Sequence, residues 1–100
     1  MPKGGWWWGR LDSDRWVLSR TQYRGRVQDA HNSISMMVDG AGYLHLSFDH
    51  HGHPLNYCRS VAPHSLALGP KEQMVGRDEG DVTYPEFYRL SDGELLFAYR

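Results

Sequence analysis

One cysteine in 100 residues, Cys58, leaves no internal disulfide to staple the fold. No apolar run approaches the ~18 residues of a membrane-spanning helix. The Trp6-Trp7-Trp8 cluster is too short and is bounded by Gly5 and Gly9. Met1–Arg10 is therefore not expected to act as a secretion signal, which needs an apolar central stretch. Charge of one sign is missing too. Eleven Lys and Arg against twelve Asp and Glu give a net charge of −1, so neither a nucleic acid nor a membrane surface is expected as a partner. The apolar positions never sustain a 3.6-residue period, and no helix is expected. What is plentiful is aromatic. Four Trp, six Tyr and three Phe favour β structure, and their flat amphipathic rings also suit sugar binding.

A short pattern occurs twice. His31-Asn32-Ser33-Ile34-Ser35-Met36-Met37-Val38-Asp39-Gly40 leads to Tyr43–Phe48, and 53 residues later Tyr84-Pro85-Glu86-Phe87-Tyr88-Arg89-Leu90-Ser91-Asp92-Gly93 leads to Glu94–Arg100. Each copy reads as a strand, an Asp-Gly turn and a returning strand. Hairpin repeats of this period are the signature of propeller blades. The expectation is an all-β fold of antiparallel β-propeller blades in one domain. Blade one would run over about 11–60, and an incomplete blade two over about 61–100. Propellers close with about four to eight blades, so the chain reads as part of a larger one. Two blades bury little surface against the entropy of ordering them. Exposed strand edges are therefore expected to drive self-association.

Along the chain, residues 1–9 read as irregular, Leu11–Asp14 as a turn and Arg15–Arg20 as a strand. Thr21–Ala30 reads as a polar loop. Strands are expected at Ser33–Val38, Tyr43–Phe48 and Leu55–Ser60, with a loop at Asp49–Pro54. Val61–Asp81 reads as a connection with one short strand near Gln73–Val75. Phe87–Leu90 and Leu95–Tyr99 form the second hairpin.

An antiparallel hairpin returns to the end where it began. His31, the cluster His50-His51-Gly52-His53, Tyr84 and Arg100 should therefore share one rim. Two imidazoles, a phenol and a guanidinium suit proton transfer around an anion. Blander readings stand beside this one. The histidine loop, with Asp49 adjacent, reads as a catalytic or metal-binding loop or, more simply, as a solvated polar loop. Tyr84 can simply start a strand, extended because Pro85 follows, and Arg100 can be a solvated end charge. His45, on a strand face, reads as a hydrogen-bonded structural residue. Arg59 and Arg77 are further cations. Trp6–Trp8 could stack on sugars or cover a neighbouring blade, and Cys58 reads as a small buried hydrophobe.

The words Ala30-His31-Asn32-Ser33-Ile34-Ser35, Asp39-Gly40-x-Gly42-Tyr43-Leu44-His45 and His51-Gly52-His53-Pro54-Leu55-x-Tyr57-x-Arg59-Ser60 resemble the BNR-repeat-containing propeller family. So does Thr83-Tyr84-Pro85-Glu86-Phe87 with Asp92-Gly93-x-Leu95-Leu96-Phe97-x-Tyr99-Arg100. Within that family the words resemble the ulvan lyases, seven-bladed propellers that cleave a sulfated algal polysaccharide. The sialidase Asp-box pattern Ser-x-Asp-x-Gly-x-Thr-Trp is absent. The resemblance implies catalytic roles for His31, His51, Tyr84 and Arg100, with His50, His53, Asn32 and Arg59 as substrate-binding candidates. It implies an anionic polysaccharide as partner, β-elimination at a uronic acid in a longer parent protein, and relatives mostly secreted or periplasmic. No cofactor and no metal ion are implied. The alternatives are a sialidase-type hydrolase, which would want an arginine cluster and paired carboxylates where this stretch offers Glu86 and Asp49, and a non-catalytic sugar-binding propeller using the same rim only as a polar groove.

Overall fold

The computed structural model describes residues 3–100, and every regular element among them is a β-strand. Met1 and Pro2, at the start of the stretch read as irregular, lie outside the described residues. From Lys3 onward that stretch is a strand. β1 (Lys3–Asp12) pairs antiparallel with β2 (Arg15–Arg26) across a two-residue turn at Ser13-Asp14, with a register shift between Gly5 and Trp7. The reading of Thr21–Ala30 as a loop is corrected as well, because β2 runs on to Arg26. Each strand supplies the other's backbone partners, so the polar half of β2 needs no apolar alternation to be a strand.

β3 (Ile34–Val38) and β4 (Leu44–Phe48) form the first repeat hairpin, and β6 (Tyr57–Arg59) adds to the far side of β4. The alternation of Leu44, Leu46 and Phe48 buries one face of β4. Leu46, Phe48 and Cys58 make the core, covered by Trp6, Tyr23, Ile34 and Leu68. Cys58 is wholly buried, and burial pushes its thiol up to about 11, so it behaves as an apolar filler. His45 is spent on structure. One ring nitrogen meets Asp39 Oδ2 and the other the Tyr57 hydroxyl, each at 2.8 Å.

β8 (Glu86–Arg89) and β9 (Leu95–Ala98) form the second hairpin, and β3 lies beside β8. The Phe87 N–H donates to Ser35 Oγ at 3.1 Å. The Asp-Gly turns of the two hairpins touch, with the Gly40 N–H donating to the Gly93 carbonyl at 2.8 Å. A Cβ on Gly93 would lie 2.7 Å from the Gly40 Cα, and Gly93 has φ +88°. Only glycine fits there. Both turns thus lie at one end of the assembly, as the repeat predicts for adjacent units of a partial propeller.

Two expectations about the connections are corrected. Gln73–Val75 is not a strand. The N–H groups of Met74, Val75 and Gly76 donate instead to the Glu79 carboxylate, which takes the donors a ladder would need. Asp49–Pro54 is not simply a loop, because β5 (His51–His53) pairs antiparallel with β7 (Val82–Thr83).

Candidate active site

Three backbone connections assemble the site. In the first, the Asp49 carboxylate accepts the Arg26 N–H at 2.7 Å and pairs with its guanidinium at 2.7 Å, tying the end of β2 to the end of β4. That pair, with Asp49 buried and Arg26 half-buried, anchors the start of the turn carrying Asp29 and His31. It also removes Asp49 from any role beside the histidines. In the second, His51 pairs in register with Thr83, and the Gly52 N–H donates to Thr83 Oγ1 at 2.8 Å. In the third, Thr83 and Arg100 exchange two backbone hydrogen bonds of 2.8 Å each. His51, Thr83 and Arg100 thus form one row across three chain segments, and Tyr84 follows directly.

Tyr84 has φ 55°, which corrects the expectation that Pro85 would hold it extended. The segment between the Thr83–Arg100 pair and β8 leaves very few residues in which to change direction, and Pro85 disfavours the right-handed turn at the residue before it. A left-handed tyrosine costs on the order of 1–3 kcal/mol, and strain of this kind concentrates at functional positions.

The four side chains expected on one rim do meet. The rings of His31 and His51 have centroids 4.3 Å apart, and Tyr84 lies 5.9 Å from His31 and 6.3 Å from His51. The Arg100 guanidinium stands 5.1 Å over the Tyr84 ring. All four are exposed, so a ligand can reach each of them.

The binding candidates divide. His53 adjoins the cluster, its Nδ1 accepting the His51 N–H at 3.2 Å. His50 does not, and its place among residues that face substrate is corrected. Its ring is fully buried, Nε2 accepts the Asn56 N–H at 2.6 Å, and Nδ1 lies 3.4 Å from Ser47 Oγ. Burial pushes its pKa down to about 4, so it is a neutral packing residue. Asn32 is also corrected. It is buried, with Nδ2 directed at the Arg26 carbonyl. Arg59 is corrected by position, since it pairs with His45 toward the other end of β4 and contacts Glu72 at 3.4 Å and the Tyr43 ring at 5.7 Å.

Asp29 is the residue that sequence reasoning missed. One carboxylate oxygen lies 2.7 Å from His31 Nδ1 and accepts the His31 backbone N–H at 3.0 Å. The other lies 2.6 Å from His51 Nδ1. The His51 ring, then the His31 N–H and ring, hold the Asp29 carboxyl well below the usual carboxylate range. Both imidazoles thereby turn Nδ1 toward Asp29 and leave Nε2 for chemistry outside the pair. The same three residues are the ones among those described that could hold a metal ion, because their ligand atoms all lie within 4.8 Å of one another. The sequence offered one faint signal, an Asp two residues before a His, which is the spacing of a local Asp side-chain turn.

An all-β chain of adjoining antiparallel hairpin repeats, with its polar cluster at the end away from the repeat turns, is a partial propeller. Residues 9–100 match the BNR repeat-containing family, and the chain belongs to that family. It is also similar to the ulvan lyase of Nonlabens ulvanivorans, with 24% identity over 106 residues. That similarity takes in 94% of this chain and 22% of the relative, so the chain spans about a fifth of that protein's length.

Proposed function

We propose that this chain carries the catalytic rim of a polysaccharide lyase, acting by β-elimination on a uronate-containing, ulvan-like anionic polysaccharide when completed by the rest of a propeller. The observation that supports it is the gathering of the His31, His51 and Tyr84 rings at centroid distances of 4.3–6.3 Å, with the Arg100 guanidinium 5.1 Å over the Tyr84 ring. Elimination removes the proton from C5 of the uronic acid and protonates the departing O4. The anion formed at C5 is accessible only if the neighbouring carboxylate is neutralised. A guanidinium holds a carboxylate through two parallel hydrogen bonds and keeps its charge, which suits Arg100. His31, His51 and Tyr84 are the acid and base groups. Asp29 turns each imidazole so that Nε2 faces the reacting sugar. A hydrolase built on two carboxylates is less well supported, because Asp49 is buried against Arg26.

The test is incubation of the parent protein with ulvan while near-ultraviolet absorbance is followed. A lyase generates the conjugated unsaturated uronate chromophore. Shorter chains without that absorbance would mean hydrolysis, and binding without cleavage would mean a sugar-binding propeller. Either result rejects the lyase reading.

A further inference from the structure

We propose that Asp29, His31 and His51 form a binding site for one divalent transition-metal ion of the zinc class. Two imidazole nitrogens and a carboxylate oxygen within 4.8 Å of one another are a zinc-type donor set. Calcium and magnesium are poorly served, since they take six or more oxygen ligands and only one side chain here supplies oxygen. Asp29 lies 2.7 Å from one Nδ1 and 2.6 Å from the other. Zinc would sit about 2.0–2.2 Å from each donor, so the three side chains would turn from the present pairing, in which each Asp29 oxygen faces a different ring, to converge on the ion. Each imidazole would coordinate through Nδ1 and carry its ring proton on Nε2. His31 and Asp29 share a turn and His51 is exposed, so the three can open around an ion without disturbing the core.

His31 and His51 are exposed beside Tyr84, so any remaining coordination positions would be open to solvent on that side. There they would take water or an oxygen of a carboxylate or sulfate. This inference goes beyond the lyase reading and is independent of it. Where both hold, the two uses exclude each other, because an imidazole bound to zinc cannot change protonation state at the coordinating nitrogen. Zinc would then inhibit.

The experiment is isothermal titration of the chelator-stripped chain with zinc chloride, in the absence of any polysaccharide. One ion per chain is expected. His51→Ala and Asp29→Ala should each weaken binding by roughly ten-fold or more, since each deletes one of three donors. His64→Ala, at a histidine packed against Gly42 away from the cluster, should bind like the wild type. Far-ultraviolet circular dichroism of each variant checks that its strands remain. Cobalt(II) gives a second readout, the visible absorption of a low-coordinate site, expected in wild type and lost in His31→Ala. No zinc binding by the wild type, or unchanged binding in His51→Ala and Asp29→Ala, overturns the proposal. Elimination activity without zinc binding overturns it while leaving the lyase reading standing. Zinc binding by the chain together with no elimination by the chelator-stripped parent protein does the reverse.

Discussion

Acidification should destabilise this protein in a window set by His50. The ring is fully buried and its pKa is pushed from 6.5 down to about 4. Desolvation is the main cause, and Nε2 is already occupied by the Asn56 N–H. Below pH 6.5 the unfolded chain takes up a proton at this residue while the native chain does not. Stability is therefore fully present above about pH 6.5 and is lost as the pH falls toward about 4, where the native ring also protonates. At ~1.4 kcal/mol for each pH unit the loss amounts to about 3 kcal/mol. That is a large part of the stability of a small domain. Carboxylates held low, such as Asp29 and Glu79, act at the acid edge and become important only below about pH 5. Urea unfolding followed by tryptophan fluorescence, at several pH values between about 7.5 and 4.5, measures the slope. Protein concentration is held constant, because self-association would add its own stabilisation. His50→Gln keeps an acceptor for Asn56 and removes the titration, so its stability should be nearly flat between about pH 6.5 and 5. A flat wild-type profile, or an undiminished slope in His50→Gln, would refute the reasoning.

Three further outcomes are expected. Gly93→Ala should cost on the order of 1–3 kcal/mol, from its left-handed φ and the collision with the Gly40 backbone, seen as a lowered urea midpoint. In a parent active on a uronate polymer, Arg100→Ala should remove most turnover, whereas His45→Asn should lower the melting temperature with little change in turnover per folded molecule; near-normal turnover in both Arg100→Ala and Tyr84→Phe rejects the lyase assignment. The chain by itself should associate through its open edges and exposed residues such as Trp7, Trp16 and Leu18, and a concentration-independent monomer in sedimentation would contradict that.

The repeat hairpins were legible because their alternating apolar positions and Asp-Gly turns are local signals. Hairpin geometry pointed to one rim for His31, the His50–His53 cluster, Tyr84 and Arg100, and the choice of His51 within that cluster came from the family resemblance. What escaped depended on partners distant in the chain. β1 and the second half of β2 stabilise each other through backbone pairing, and neither Trp6-Trp7-Trp8 nor Thr21–Arg26 shows a period of its own. β5 is a strand because β7, some 30 residues later, lies beside it. His50 and His51 look alike in sequence, yet the reversal at Asp49, with φ 62°, sends the first inward and the second outward. Asp29 acquires its role only when His51 arrives from across the sheet.

The row formed by His51, Thr83 and Arg100 makes the cluster a property of a junction. The first hairpin unit supplies the two imidazoles and their carboxylate, and the second supplies the phenol and the guanidinium. Neither can be copied, swapped or transplanted as a self-sufficient part. A blade exchange between two propellers of this kind would preserve every strand and turn yet lose the site, unless the crossover point lay outside Asp29–Arg100. The unit to move in engineering is the seam with both of its flanks.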